Sequence, residues 1–177
     1  MMPPRLQRIE RRPGALTQSE DDRRVLAVWA ADCAERALPL FEARAPDDTR
    51  PRDAFDGVRA FARGEIRIGP ARALAAAAHA AARNVVDPAA VAAARAAGHA
   101  AATAHMAAHA RGAAGYAAVA AGLARPQAPT AVSDETGWQR AHATPAVRDV
   151  LRRLPAPPRA SSMLAILIGD LHTEMSS

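Results

Sequence analysis

GPARALAAAAHAAARNVVDPAAVAAARAAGHAAATAHMAAHARGAAGYAAVAAGL, residues 69–123, is the stretch that decides the fold. Alanine is both the best helix former and the smallest side chain a core can use, so this run specifies closely packed helices. Gly69-Pro70 opens the first, which the pattern carries to about Asn84. Asp87-Pro88 sets a capping carboxylate before a proline at the first helical position and opens the second. That helix is expected to continue to about Leu123, roughly 50 Å at 1.5 Å per residue. Gly112 and Gly115 are where a break or bend is expected.

Working outward, Ser19 with Asp22 three residues later forms a capping-box start, and Glu20, Asp21 and Asp22 load negative charge onto the helix amino end. Val25, Leu26, Trp29, Cys33 and Ala37 recur at helical spacing and take the first helix to about Leu38, where Pro39 kinks or ends it. Residues 45–51 read as a turn, with Asp48 or Thr49 capping and Pro51 in the first turn of the next helix. Ala54, Phe55, Val58, Phe61 and Ala62 mark that helix's buried stripe, and Gly64 is its C-cap. Beyond the alanine-rich run, Ser133 is expected to cap a short helix through Trp138 and Gln139, and Thr144-Pro145 to open AVRDVLRRL. The expected class is all-α: an alanine-rich helical bundle built from two helical hairpins plus short C-terminal helices. Residues 19–154 form the bundle, residues 1–18 a flexible basic arm, and residues 155–177 a proline-rich linker and an apolar C-terminal tail. The tail MLAILIGDL is expected either to pack back onto the bundle or to seat on a partner, a second copy of the chain included.

A length of 177 residues makes one domain the default. The 23 basic residues are all Arg and outnumber the 18 acids, for a net charge of +5. Those arginines are interspersed with acids and lack aromatic platforms, which argues against a nucleic-acid partner. Cys33 is the single cysteine, so no internal disulfide framework exists. No window approaches the ~20 apolar residues of a membrane span, and no apolar run of signal-peptide length opens the chain, so a cytoplasmic protein is expected. GxSxG, Walker and GxGxxG patterns are absent, and no cofactor is expected.

Two groups of polar residues carry the remaining interest. Asp32 lies beside the apolar stripe of the first helix, with Arg36, Arg52 and Arg59 as candidate partners. It reads as a structural ion pair or as an acid or base working beside His79 or His99. The second group is His79, His99, His105 and His109. On a regular helix His105 and His109 lie about 40° apart on one stripe with Gly112 and Tyr116, and His99 roughly 120° around, so the three do not face one site. HExxH is absent because Met106 follows His105, and no metal is expected. Cys33 reads as a small core residue.

LAVWAADCAERALPLFE, DDTRPRDAFDGVRAFARGEI, AHAAAR and GHAAATAHMAAHA together resemble a bacterial immunity-protein family associated with polymorphic toxin systems. Trp29, Asp32, Cys33, Glu35, Pro39, Arg50, Pro51, Arg52, Gly64, His79, Gly98, His99, His105 and His109 carry the resemblance, over about residues 25–125. It implies a small cytoplasmic protein that binds and neutralises a toxin or other protein partner. The alternative from the residues is an enzyme or small-molecule-binding protein of specialised metabolism, of lyase, isomerase or cyclase type. In that case Asp32, Glu35, His79 and His99 would be catalytic, and Arg52, His105, His109 and Trp29 would hold the ligand. Convergence of these groups on one cavity would separate the second reading from the first.

Overall fold

The computed structural model describes residues 18–157 and 162–176. The arm expected over residues 1–18 therefore lies outside the described residues except for Gln18, as do residues 158–161 of the linker. Among the described residues there are nine helices and no strand, an all-α bundle.

Local chemistry starts and stops most of the helices. At α1, Glu20–Glu35, the Ser19 hydroxyl accepts from the Asp22 N–H at 3.0 Å, and the Asp22 carboxylate accepts from the Ser19 N–H at 3.3 Å. This capping box satisfies two otherwise orphaned donors. α1 ends at Glu35, short of Leu38, and Pro39 sits in the first turn of a separate short helix, α2, Leu38–Glu42. Pro51 likewise lies in the first turn of α3, Arg50–Ala62, where Asp48 accepts from the Arg50 N–H. α3 closes with a Schellman motif: Glu65 N–H reaches Ala60 O and Gly64 N–H reaches Phe61 O, both at 2.9 Å. Gly64 takes φ +78°, a conformation that costs side-chain-bearing residues energy.

α4 is Ile68–Ala81, and α5, Pro88–Ala102, starts where Asp87 accepts from the Ala90 N–H at 3.0 Å. The expected long helix to Leu123 does not form. It breaks over residues 103–108, and α6, His109–Ala124, runs on from there. Backbone bonds there shorten to a three-residue span, His105 N–H to Ala102 O and His109 N–H to Met106 O, and the Thr103 hydroxyl bonds back to His99 O at 3.2 Å. Gly112 and Gly115, where the break was expected, lie inside α6. They are there for closeness: a Cβ on Gly115 would stand 2.9 Å from Leu164 Cδ1.

α7, Ala131–Ala141, begins after Thr130 and not at Ser133, whose hydroxyl donates back to the Thr130 carbonyl from within the first turn. α8, Pro145–Arg153, is capped by Thr144 as its sequence indicates. α9, Met163–Ser176, packs against α6 and α8 and buries Leu167 and Leu171. At the centre, α5 packs against α1, α2, α3, α4 and α6. The core is mostly alanine, with Trp29, Phe41, Phe55, Phe61, Leu26 and Leu151 among its largest apolar groups. No helix of the described residues is long and apolar enough to cross a membrane.

Gly64→Ala is expected to lower stability by about 1–2 kcal/mol, since a Cβ is forced into the left-handed region. Urea unfolding checks it, with an alanine change at exposed Glu65 as the neutral control.

Candidate functional site

The break at residues 103–108 has its main effect on the histidines. It folds α6 back along α5, so rings that a continuous helix would spread apart meet. His99 Nδ1 and His109 Nδ1 are 3.1 Å apart, one donating to the other. His99 also meets His79 at a ring-centroid distance of 5.2 Å and Tyr116 at 5.1 Å, and His105 meets His109 at 5.2 Å. The expectation that His99 stands apart from His105 and His109 is therefore corrected: it assumed a regular helix.

Two glycines make room for these rings. A Cβ on Gly98 would stand 2.6 Å from the His79 ring, and one on Gly112 would stand 2.6 Å from His99 Nδ1. Among the described residues no carboxylate bonds to the cluster or acts on its rings to stabilise a protonated form. Between Glu65 and Asp134 the chain carries a single acid, Asp87, and that one caps α5 and pairs with Arg44. The charged groups that act on the rings are arginines: Arg95 and Arg83 on His79, Arg95 on His99, Arg72 and Arg23 on His105. Burial, then neighbouring positive charge, pushes His99 down to about 3 and His109 down to about 4, and lowers His79 and His105 as well. Both causes disfavour the charged form of every ring in the cluster. Among the described residues no group of three or more His, Cys, Asp or Glu is arranged to hold a metal ion.

A second polar centre lies where α1 meets α3 and α7. The Arg59 guanidinium donates to Asp32 at 3.0 Å and to both Glu35 oxygens, at 2.8 and 3.1 Å. These hydrogen bonds hold the Glu35 carboxyl below the usual carboxylate range. Of the three arginines considered for Asp32, Arg59 is the partner; Arg36 instead reaches α7, where its Nε–H donates to Glu135 at 2.9 Å. The Asp32 side chain is 46% exposed, so the pair rims the surface and is not sunk in the core.

No motif in the sequence marks Glu135 and Gln139 as partners, although their i, i+4 spacing places them on one face of α7. Both are buried, and Gln139 donates to Glu135 and to the Ala114 carbonyl of α6. The Gln139 carbonyl in turn accepts from the indole N–H of buried Trp29 at 3.0 Å, which ties α1 to α7. Outside this network the Arg36 guanidinium lies over Trp138, 4.0 Å from the ring centroid, and Trp138 stacks on His142 at 3.8 Å. Asp32, Glu35, Arg36, Trp138 and His142 line a shallow depression of about 420 Å³. A smaller hollow beside it adds Val25 and Val28, the latter 45% exposed.

The sequence-designated residues thus fall in three places. His79, His99, His105 and His109 form one cluster; Asp32, Glu35 and Trp29 belong to the α1 face; Arg52 pairs with Glu42 of α2. Among the described residues no hydrogen bond, ion pair or ring contact joins the carboxylates to the histidines. Cys33 is fully buried, and burial pushes its thiol well up, away from nucleophilic use.

In comparisons with known proteins, the family model described as Imm-5 like putative immunity protein matches residues 16–146, most of the chain. No curated protein and no solved structure matches.

Two outcomes follow from the geometry. A histidine kept neutral in the fold binds fewer protons than the unfolded chain, where it titrates near about 6.5, so its contribution is complete above that pH and is lost as pH falls towards about 4. The melting temperature should therefore drop steadily from pH 7 to pH 4.5, and His99→Gln should flatten that slope in a calorimetric pH series. Asp32→Ala should cost under about 1 kcal/mol, because Arg59 keeps Glu35 and the pair is half in water. Arg59→Ala, which strands two carboxylates, should cost more in the same denaturation assay.

Proposed function

The chain belongs to the Imm-5 like family of immunity proteins, and from that premise we propose that it binds a toxin domain and neutralises it by covering its working surface. The observation that carries the reading is the exposed α1–α7 face. There the Arg36 guanidinium, the Trp138–His142 stack and exposed Val28 stand beside Asp32, Glu35 and Arg59. Aromatic and arginine side chains dominate the energetics of protein interfaces, with charged groups at the rim governing encounter and partner choice. Both features occur here, on a surface held in place by the Trp29–Gln139–Glu135 network.

The enzyme alternative asks Asp32, Glu35, Arg52, His79 and His99 to surround one cavity. Their separation into three places supplies no shared site for proton transfer, so no reaction is proposed. The cytoplasm is the compartment in which such a partner would be met.

Co-expression with any toxin domain that sequencing finds encoded beside this gene tests the proposal. Growth should be restored by the wild-type chain, and the two proteins should co-purify as a stable complex. Trp138→Ala combined with Val28→Glu, which leaves the Arg36–Glu135 pair intact, should abolish rescue while circular dichroism stays helical. Failure of the wild-type chain to rescue or to bind any of these domains would overturn the reading.

A further inference from the structure

Arg111, on α6, is 3% exposed, one of the few charged side chains in the core. Its Nη2 donates to the Pro155 carbonyl at 2.6 Å, while Nη1 is buried with no hydrogen-bond partner. Among the described residues no carboxylate pairs with it. A guanidinium carries five N–H donors and a charge that stays on in any ordinary protein environment. Burying it without a counter-ion costs several kcal/mol, which an alanine-rich bundle has little means to offset.

Arg111 opens onto a cavity of about 380 Å³ between α6, α9 and the segment after α8. The other walls are apolar: Ala108, Pro155, Pro157, Ala165 and Ile168 among them. That volume lies within the range of about 300–1,000 Å³ typical of small-molecule sites, which pair an apolar lining with a few placed polar groups. Burial, and then the Arg111 charge, shift the His172 imidazole of α9 below its ordinary range.

We infer that this cavity is a binding site for a small anion, a carboxylate or phosphate monoester, that also carries an apolar group. The anionic head would bond to the guanidinium where Arg111 borders the cavity, a rotation of that group bringing Nη1 to it, and supply the missing counter-charge; the apolar group would lie against the alanine, proline and isoleucine walls. Arg suits this role better than Lys because its planar fork meets two oxygens at once. The site is separate from the α1–α7 face, and the inference does not rest on toxin binding.

The test uses the full chain, thermal unfolding and calorimetric titration in chloride buffer, with hexanoate and phenyl phosphate as probes. Hexanol and inorganic phosphate each supply half of the chemistry. Hexanoate or phenyl phosphate should raise the melting temperature saturably, with affinity at least tenfold above that of either half-probe. Arg111→Met should lose the effect and, without any probe, melt at or above the wild-type temperature because the unpaired charge is gone. Ile168→Trp fills the cavity from its apolar side without touching the charge, and should also abolish binding; it keeps the test open should Arg111→Met fold poorly. Absence of any shift, an equal shift in Arg111→Met, or inorganic phosphate acting as strongly as phenyl phosphate would overturn the inference.

Discussion

An alanine side chain ends at its Cβ, and that shortness sets the spacing of this bundle. Where helices meet through alanine, their backbones approach closely, and any larger group between them must be given room. Glycine provides it, at Gly98 and Gly112 for the His79 and His99 rings and at Gly115 for Leu164. The bulky apolar groups come from the surrounding helices: Leu26 and Trp29 from α1, Phe41 from α2, Phe55 and Phe61 from α3, Leu151 from α8. Each methylene that alanine lacks forgoes about 0.8 kcal/mol of burial. The fold therefore relies on many small contacts at high density, with few large ones.

The helix starts at Ser19, Asp87 and Thr144 were legible because they are local. Ser19, Asp87 and Thr144 each accept from a backbone N–H three residues on, and the residue types announce it. The turn at residues 103–108 was not legible, since every residue from Ala100 to Ala110 is compatible with a continuing helix. What ends it is a change of backbone bonding supported by buried Thr103, together with α6 packing on α5. Gly112 and Gly115 misled for a related reason: a missing side chain serves both flexibility and close approach, and only tertiary structure distinguishes them. The histidine cluster inherited that error. The carboxylate centre was better exposed, because Asp32 beside an apolar stripe demands a cation and few were within reach; the Glu135–Gln139 network needed the α7 face to be placed against α1 and α6 first.

Charge is segregated along the chain. Carboxylates cluster before Glu65 and after Asp134 and find arginines there, as in Asp32–Arg59, Glu35–Arg59 and Glu135–Arg36. The middle holds the four clustered histidines and almost no acid. Imidazoles in such surroundings have no anion to stabilise their charged form, so they remain hydrogen-bonding and stacking groups. Among the described residues no hydrogen bond or ion pair joins a carboxylate to any of the four clustered histidines, so proton transfer between them, the chemistry that the mix of residue types suggests, has no contact to carry it. The outer face of α1 and α7 keeps charge, aromatic surface and exposure together, which is what recognition of another protein uses.

α5 is enclosed by five other helices and buries nearly its whole circumference in alanine and glycine. Apart from His99 and the exposed Arg95 it has no long side chain with which to hold a neighbour, so its place is fixed mainly by the full ring around it. Removing α4 or α6 would open a strip of α5 to water and leave the remainder without a wall. Partial opening is thereby penalised as heavily as general unfolding, and the amides of α5 should exchange with solvent only through global events. For α1–α6, the bundle's architecture favours all-or-none behaviour, in which no sub-bundle survives alone.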